Sequence, residues 1–212
     1  MTDPTYTHVT LVIDRSASMY DRRGEAQAAI NRYIGEQRGQ PGRLTFTLID
    51  FDDRIQTVVD FQPITVAPQY RLMPRGLTAL YDAVGRAIVE TGQRLAALPE
   101  DERPGQVLVA IVTDGRENAS HDWTRDGVRA LIAEQGTRYA WTFVFLGAAD
   151  AAWTGTELGI AHTGSYSTDP GGTTETWSNL STATTCLRRG GQITIPPVRG
   201  RSTRDAAPES GQ

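Results

Sequence analysis

The sequence predicts an α/β fold, a doubly wound, mostly parallel six-stranded sheet with one antiparallel edge strand and helices on both faces. First, short apolar runs rich in β-branched residues alternate with segments of helical periodicity along most of the chain. Second, two of these runs flank the turn-like segment Asp52-Asp53-Arg54, which predicts one hairpin in an otherwise parallel sheet. Third, 212 residues with 39% hydrophobic and 22% charged side chains suffice for one domain with a sizeable core.

The N-terminal part of the chain predicts a strand, a helix and a hairpin. The strand covers residues 7–13, most of which form an uninterrupted apolar run. The helix covers residues 24–37, because apolar side chains recur there at helical spacing and Gly39 follows as a stop signal. Strands at 44–51 and 58–61 lie on either side of the turn, so we expect the second to be the antiparallel edge strand.

The middle of the chain continues the alternation. A helix is predicted at 79–98, where leucine, valine and isoleucine share one side. A buried strand follows at 107–113, because this run is apolar up to its last residue. A helix at 124–135 and an aromatic-rich strand at 139–146 complete this part.

The C-terminal part predicts a short helix at 149–158, a weaker strand at 161–165 and a helix at 173–188. After residue 190 the composition turns to Pro, Arg, Ser and Gly, which is typical of a segment without a packed core. We therefore expect a single domain over residues 1–190 and a flexible C-terminal tail over residues 191–212.

Three oxygen-bearing side chains follow the first predicted strand. Asp14, Ser16 and Ser18 lie on every second residue, and in extended backbone such residues point the same way. One carboxylate and two hydroxyls that converge make a hard-oxygen site suited to Mg²⁺ or Mn²⁺. The alternative is a plain polar turn at the end of the strand, since Asp and Ser favour turns.

A second acid and a third hydroxyl lie further along the chain. Asp114 follows the strand at 107–113 and precedes Gly115, while Thr78 stands where a glycine-containing loop meets the helix at 79–98. Taken singly, Thr78 could be a helix N-cap and the Asp-Gly pair a tight turn. Ligands of open α/β sheets bind at the carboxyl ends of the strands, where the strand order reverses, and both aspartates follow such ends.

In this order, the five residues resemble the complete metal-ion-dependent adhesion site of von Willebrand factor A (VWA) domains. The segments at 77–84 and 113–119 also resemble those of small bacterial and phage VWA proteins, and the resemblance covers residues 6–188. It implies a VWA, Rossmann-like fold in which the strands that precede Asp14 and Asp114 are neighbours.

The resemblance also implies a set of metal ligands and a function. Ser16, Ser18 and Thr78 would coordinate Mg²⁺ or Mn²⁺ directly, and Asp14 and Asp114 would act largely through bound water. Because only two carboxylates face the cation, it stays electrophilic and takes one more anionic oxygen. The implied function is a metal-ion-dependent protein-binding module, not an enzyme, that captures an Asp or Glu side chain of a protein partner.

Three loops next to the ligands are predicted to form the partner-binding rim. The rim residues are Met19, Tyr20, Arg22, Arg75, Gly76, Gly115, Arg116, Glu117 and Asn118. The three arginines would suit an acidic partner surface, with Tyr20 as an aromatic anchor. The alternative is that these arginines only keep the rim soluble.

A metal-dependent phosphoryl-transfer hydrolase of α/β fold is the alternative function, because a metal beside carboxylates can activate water. HAD-type phosphatases also carry an Asp after a first strand, but they need a second acid where this chain has Ser16. The chain has no lysine to neutralise a transferring phosphate. The nearby candidates for a general base are Asp21, Asp52 and Glu117, and we expect each to be a solvated loop charge.

Composition and targeting signals narrow the remaining function classes. The net charge of −4 gives no support for nucleic-acid binding, and the single cysteine excludes an internal disulfide. The three histidines are scattered without the spacing of zinc ligands.

We find no signal peptide or membrane span and expect a cytoplasmic protein. The resemblance implies, as partner, a MoxR-like AAA ATPase or a component of stress-response or phage-conflict systems.

Overall fold

The structure is a computed structural model that describes residues 1–148, 152–166 and 170–196. It contains one six-stranded sheet, and the strands are β1 (Asp3–Asp14), β2 (Arg43–Phe51), β3 (Ile55–Pro63), β4 (Pro104–Thr113), β5 (Thr142–Ala148) and β6 (His162–Tyr166). Their order across the sheet is β3-β2-β1-β4-β5-β6. Neighbouring strands are parallel, except that β3 runs antiparallel to β2 at the edge, so the predicted fold class is confirmed.

Helices cover both faces of this sheet. They are α1 (Arg23–Arg38), α2 (Leu80–Ala96), α3 (Arg125–Tyr139), α4 (Ala152–Glu157) and α5 (Pro170–Arg188). Alternate residues of β1 point to opposite faces, as the strand period requires. Leu11 joins the core cluster under α1 and α5, whereas Val12 joins the one under α2 and α3.

In the middle of the chain, the predicted end of the helix at 124–135 and the predicted start of the strand at 139–146 are both wrong, since α3 runs to Tyr139. The strand predicted at 139–146 begins at Thr142, because Tyr139 is the last residue of α3. Ala140 then adopts a left-handed conformation with φ 55°, and its N–H donates to the carbonyl of Gln135, which ends the helix. Trp141 is buried, so its bulk serves the core without belonging to the strand. An aromatic run at a helix end cannot be told from a strand by composition alone.

The predicted tail is described as far as residue 196, and residues 197–212 lie outside the described residues. Residues 191–196 form no helix or strand. Ile193 nevertheless belongs to the core cluster under α1 and α5, and Ile195 packs against it. The first residues after 190 therefore contact the domain.

Candidate metal centre

The candidate site lies at the carboxyl ends of two neighbouring strands. β1 pairs with β4 on one side and with β2 on the other, so the strand order reverses at the β1–β4 pair. Asp14 is the last residue of β1, and Asp114 directly follows β4. The register places Ile13 opposite Val112, which brings the two aspartates to the same end of the sheet. This is the edge at which open α/β sheets bind ligands.

Asp14 is held in place by two donors. The backbone N–H of Ser16 donates to its Oδ1 at 2.7 Å, and the Thr113 hydroxyl donates to its Oδ2 at 2.5 Å. Burial raises the pKa of Asp14 to about 6, which these hydrogen bonds oppose and the nearby charge of Asp114 reinforces. A cation at this carboxylate would favour its charged form. Thr113 was not predicted as a site residue, although it carries a hydroxyl and directly precedes Asp114 in the sequence.

A chain of hydroxyls connects the two aspartates. The Ser16 and Ser18 hydroxyl oxygens are 2.9 Å apart, and Ser18 Oγ donates to Asp114 Oδ1 at 2.6 Å. The other Asp114 oxygen, Oδ2, accepts from Arg22 Nη1 at 3.2 Å. Ser16 precedes a short helical turn without capping it through its side chain, so its hydroxyl faces the site. The Ser16 and Ser18 oxygens are thus close together, but the backbone at Ser18 forms a helical turn over Ala17–Met19 and is not extended as the spacing argument assumed.

Thr78 reaches the site from a loop that is fixed on both sides. Its N–H donates to the side-chain oxygen of Asn118 at 2.8 Å, and the Asn118 N–H donates back to the Thr78 carbonyl at 3.0 Å. The N–H of Ala79 donates to the Asp52 carbonyl at 2.9 Å. Ala79, not Thr78, is the N-cap residue of α2, and no side chain caps this helix at that position. The N-cap alternative for Thr78 is therefore wrong.

Gly115 shows that three of the predicted ligands face one space. A methyl group at this position would lie 3.0 Å from Oγ1 of Thr78, 3.5 Å from Oδ2 of Asp14 and 3.7 Å from Oγ of Ser16. Only a residue without a side chain leaves that space open. Carboxylate and hydroxyl oxygens are ligands that Mg²⁺ and Mn²⁺ accept, so the donor set fits a hard divalent cation.

Histidine, cysteine and a third acid do not contribute to this donor set. Among the residues that the structure describes, no three His, Cys, Asp or Glu side chains lie together as metal ligands. A cation at this site would therefore depend on the hydroxyls as much as on the two carboxylates.

The predicted rim is only partly exposed. Tyr20 is 69% exposed, and Arg116 is also exposed. Leu77, which was not among the predicted rim residues, is 55% exposed. Met19 is 2% exposed and packs in the core under α1, so its place on the rim is wrong. Gly76 adopts φ 68° and accepts a hydrogen bond from the Ala17 N–H, so it shapes the loop.

Two of the rim arginines already have partners within the chain. Arg22 pairs with Asp114, and Arg75 Nε donates to Asp52 Oδ2 at 2.6 Å. The Asp52 side chain is fully buried, and Arg15 Nε also lies 3.1 Å from its Oδ2. Burial works to raise the pKa of Asp52, but the hydrogen bonds from Arg75 and from the Arg54 N–H outweigh it and lower the pKa. The expectation that Asp52 is a solvated loop charge is therefore wrong.

The Glu117 side chain points into the protein rather than toward a partner, whereas Asn118 is exposed although its side-chain oxygen binds the Thr78 N–H. Glu117 Oε1 accepts from the N–H groups of Ala119 and Ser120, and its Oε2 accepts from the Ser120 hydroxyl and from the Tyr81 N–H in the first turn of α2. Two predictions for Glu117 are therefore wrong: its side chain is not available to a partner at the rim, and it is not a solvated loop charge. It holds the loop after β4 to the start of α2, and this loop in turn carries the partner of Thr78.

Several solved structures superpose on this chain. No family model and no curated protein matches the chain. The PilB minor pilin from Streptococcus sanguinis superposes with a TM-score of 0.60 at 12% identity over 85% of this chain. A von Willebrand factor type A structure from Catenulispora acidiphila gives 0.59 at 16% identity over 85% of this chain. The vWF domain of the pili tip protein Mfa5 from Porphyromonas gingivalis gives 0.58 at 14% identity over 93%.

The extent of these matches differs. The chain spans 61% of the length of the pilin and 43% of the Catenulispora structure, less than two thirds of each, but 98% of the Mfa5 domain. At such identities the likeness concerns the fold. The strand order, the antiparallel edge strand and these superpositions agree: the chain has the fold of von Willebrand factor A domains.

Proposed function

We propose that this chain binds one divalent cation, Mg²⁺ or Mn²⁺, and uses it to capture an acidic side chain of a protein partner. The ligands would be Asp14, Ser16, Ser18, Thr78 and Asp114. The observation that carries the proposal is the open space at Gly115, toward which oxygens of Thr78, Asp14 and Ser16 converge.

The residues of the site would hold a cation and leave it able to bind one more anionic oxygen. Thr113 and the Ser16 N–H orient the Asp14 carboxylate, and Ser18 orients Asp114. When bound, the cation would supply a Lewis-acidic position that takes an anionic oxygen. Because the remaining ligands are neutral hydroxyls, the two carboxylates leave little excess negative charge to repel a partner's carboxylate.

The surface around the site supplies contacts for such a partner. Tyr20 and Leu77 are exposed apolar side chains on two different loops, and a large aromatic is the kind of residue that anchors interfaces. Arg116 adds a positive charge beside Gly115. These features favour a partner that presents an acidic residue flanked by apolar side chains.

The environment of the acids near the site argues for binding rather than turnover. Of the three acids considered as general bases, Asp52 is buried against Arg75 and Glu117 accepts four hydrogen bonds. Asp21 is an exposed residue of the loop before α1. A base that abstracts protons needs a free lone pair within reach of the substrate, which the first two do not offer.

The proposal extends to the partner and the compartment. A MoxR-like AAA ATPase or a stress-response or phage-conflict component stays a prediction, as do the cytoplasmic location and the lack of a nucleic-acid or membrane partner. Within the described residues no helix has both the length and the apolar character that a bilayer crossing requires. PilB is a minor pilin and Mfa5 is a pili tip protein. At 12% and 14% identity, their similarity to this chain concerns the fold and does not assign it a location.

Replacing Gly115 by Ala tests the cation site. The added methyl enters the space between Thr78 and Asp14, so we expect Mg²⁺ affinity to fall at least about tenfold, since coordination at near-ideal geometry tolerates little displacement. Isothermal titration calorimetry with Mg²⁺ and Mn²⁺ measures this loss. The matched control is Gly35→Ala in α1, where a methyl meets nothing within 4 Å and should leave cation affinity unchanged.

Partner capture is tested with the same two variants. A partner retained by the wild-type chain and by Gly35→Ala in Mg²⁺, but released by EDTA and by Gly115→Ala, would support the proposal. Unchanged Mg²⁺ affinity in Gly115→Ala would contradict the cation site. Retention of the partner in EDTA would contradict capture through the metal.

A further inference from the structure

We propose that Arg22 is a built-in counter-cation of the metal centre, which competes with the divalent ion for Asp114 and lowers the affinity of the site. This inference rests on the proposed function, because it concerns how readily the same site is filled. It assigns Arg22 a role toward the metal in addition to the partner-binding role that the sequence suggested.

The contact between Arg22 and Asp114 is direct. Arg22 Nη1 lies 3.2 Å from Asp114 Oδ2, and the Asp114 side chain is 1% exposed against 29% for Arg22. Since Ser18 donates to the other carboxylate oxygen, both oxygens of Asp114 are engaged. A divalent cation that draws on Asp114 must therefore share this carboxylate with a guanidinium.

The backbone keeps Arg22 next to the site. Arg22 is the N-cap residue of α1, its N–H donates to the carbonyl of Met19 at 3.2 Å, and its carbonyl accepts from the Ala26 N–H at 2.9 Å. The side chain can reorient, but its backbone stays at the start of α1. The positive charge is therefore held within reach of Asp114 and is not a distant surface charge.

Charge counting gives the direction of the effect. Asp14 and Asp114 contribute two negative charges and the hydroxyls none, so Arg22 reduces the net charge that attracts a cation from −2 to −1. Arg15 and Arg75 do not act in the same way, because their partners lie outside the ligand set: Arg15 pairs with Asp50 and Asp52, and Arg75 with Asp52. Like charges at close range repel, and a divalent ion feels twice the effect of a monovalent one.

The consequence is a site that fills only when the cation outcompetes Arg22. A cation held near Asp114 would weaken the Arg22–Asp114 ion pair, and the Arg22 guanidinium would then be able to contact a partner. A partner's carboxylate would then find the Arg22 guanidinium beside the cation site, and Arg pairs well with carboxylates. Filling the site and exposing a second cationic contact would be one coupled event.

Removing the charge of Arg22 tests the inference. We expect Arg22→Gln to bind Mg²⁺ roughly tenfold more tightly than the wild-type chain in low salt, by calorimetry, since the repulsion of a nearby unit charge is lost. Arg22→Lys keeps the charge and should stay within about twofold of wild type. Arg23→Gln, which removes an exposed arginine one residue away, is the matched control and should also stay close to wild type.

Salt dependence separates a charge effect from a structural one. The gap between wild type and Arg22→Gln should narrow in high salt, because screening weakens interactions between partly exposed charges. Arg22→Met, which keeps the apolar stem, should repeat the gain if Arg22→Gln folds poorly. Equal Mg²⁺ affinity of wild type and both neutral variants, or weaker binding by them, would overturn the inference and leave the proposed function intact. Failure of the wild-type chain to bind Mg²⁺ or Mn²⁺ would overturn both.

Discussion

Among the buried titratable side chains of strand β1, His8 and Asp14 have surroundings that give them different roles. Burial lowers the pKa of His8 to about 3 and raises that of Asp14 to about 6, because in both cases it disfavours the charged form. The imidazole nitrogens of His8 lie 2.9 Å from the hydroxyl oxygen of Thr45 and 3.1 Å from that of Thr10. His8 is therefore a satisfied core residue, whereas Asp14 ends the strand where a cation can reach it.

His8 should make the free energy of unfolding depend on pH. Its pKa in the folded chain, about 3, lies below the ordinary value of 6.5, so its contribution is complete above pH 6.5 and is lost as the pH falls toward 3. Within that range the slope approaches about 1.4 kcal/mol per pH unit. Urea unfolding of wild type and His8→Gln between pH 7 and about pH 4.5 should show a steeper loss for wild type, by roughly 2 kcal/mol.

The comparison with His8→Gln isolates His8 because both chains retain Asp14, whose raised pKa acts in the opposite direction. Adding EDTA removes any contribution from bound cation. His121→Gln changes an exposed histidine and should keep the wild-type slope. Parallel pH profiles for wild type and His8→Gln would show that His8 is not held neutral by the core.

At the scale of elements, the loop after β4 is fastened to the first turn of α2 by two acids. Asp82 accepts hydrogen bonds from the backbone N–H groups of His121, Asp122 and Trp123, at 2.7–2.9 Å, and its own N–H donates to Ser120. Glu117 holds the same loop from the other side. Because this loop presents Gly115 and the Asn118 that binds Thr78, Asp82 supports the site without facing it.

Asp82→Ala should loosen this attachment. Hydrogen bonds to a charged, buried acceptor contribute more than neutral ones, and three backbone donors would lose their partner, so we expect a loss of about 2–4 kcal/mol in the free energy of unfolding. Hydrogen exchange should also rise selectively in residues 117–123. Asp126→Ala, in the exposed first turn of α3, is the control and should cost less than about 1 kcal/mol. Equal losses in the two variants would refute the anchoring role.

The strands, the helices and the candidate metal ligands could be predicted from the sequence more easily than the contacts between loops. The C-terminal parts of β1 and β4 are predominantly apolar, so the positions of these strands and the oxygens that follow them could be predicted from the local pattern. The pairing of Arg22 with Asp114 or Arg75 with Asp52 depends on loops that meet only after folding. Glu117 gives no local signal that it faces inward, because its donors include Tyr81, far away in sequence.

At the scale of the whole molecule, the C-terminal segment closes one face of the sheet. α5 packs beside α1, with Tyr33 and Thr184 joined by a hydrogen bond of 3.0 Å. The chain beyond α5 then returns over the sheet, where Ile195 comes so close to β6 that a methyl at Gly164 would lie 2.8 Å from it. The packed part of the molecule thus extends past the domain boundary predicted at residue 190.

Two truncations test where the domain ends. A chain that stops at residue 190 loses Ile193, which is 8% exposed in the core, and the partly buried Ile195. We expect it to be less stable than a chain that stops at residue 196 by about 2–4 kcal/mol, the usual cost of emptying a core position. The chain that stops at 196 is the matched reference, because it retains both isoleucines. Urea unfolding measures the difference, and coinciding curves would place the boundary at residue 190 after all.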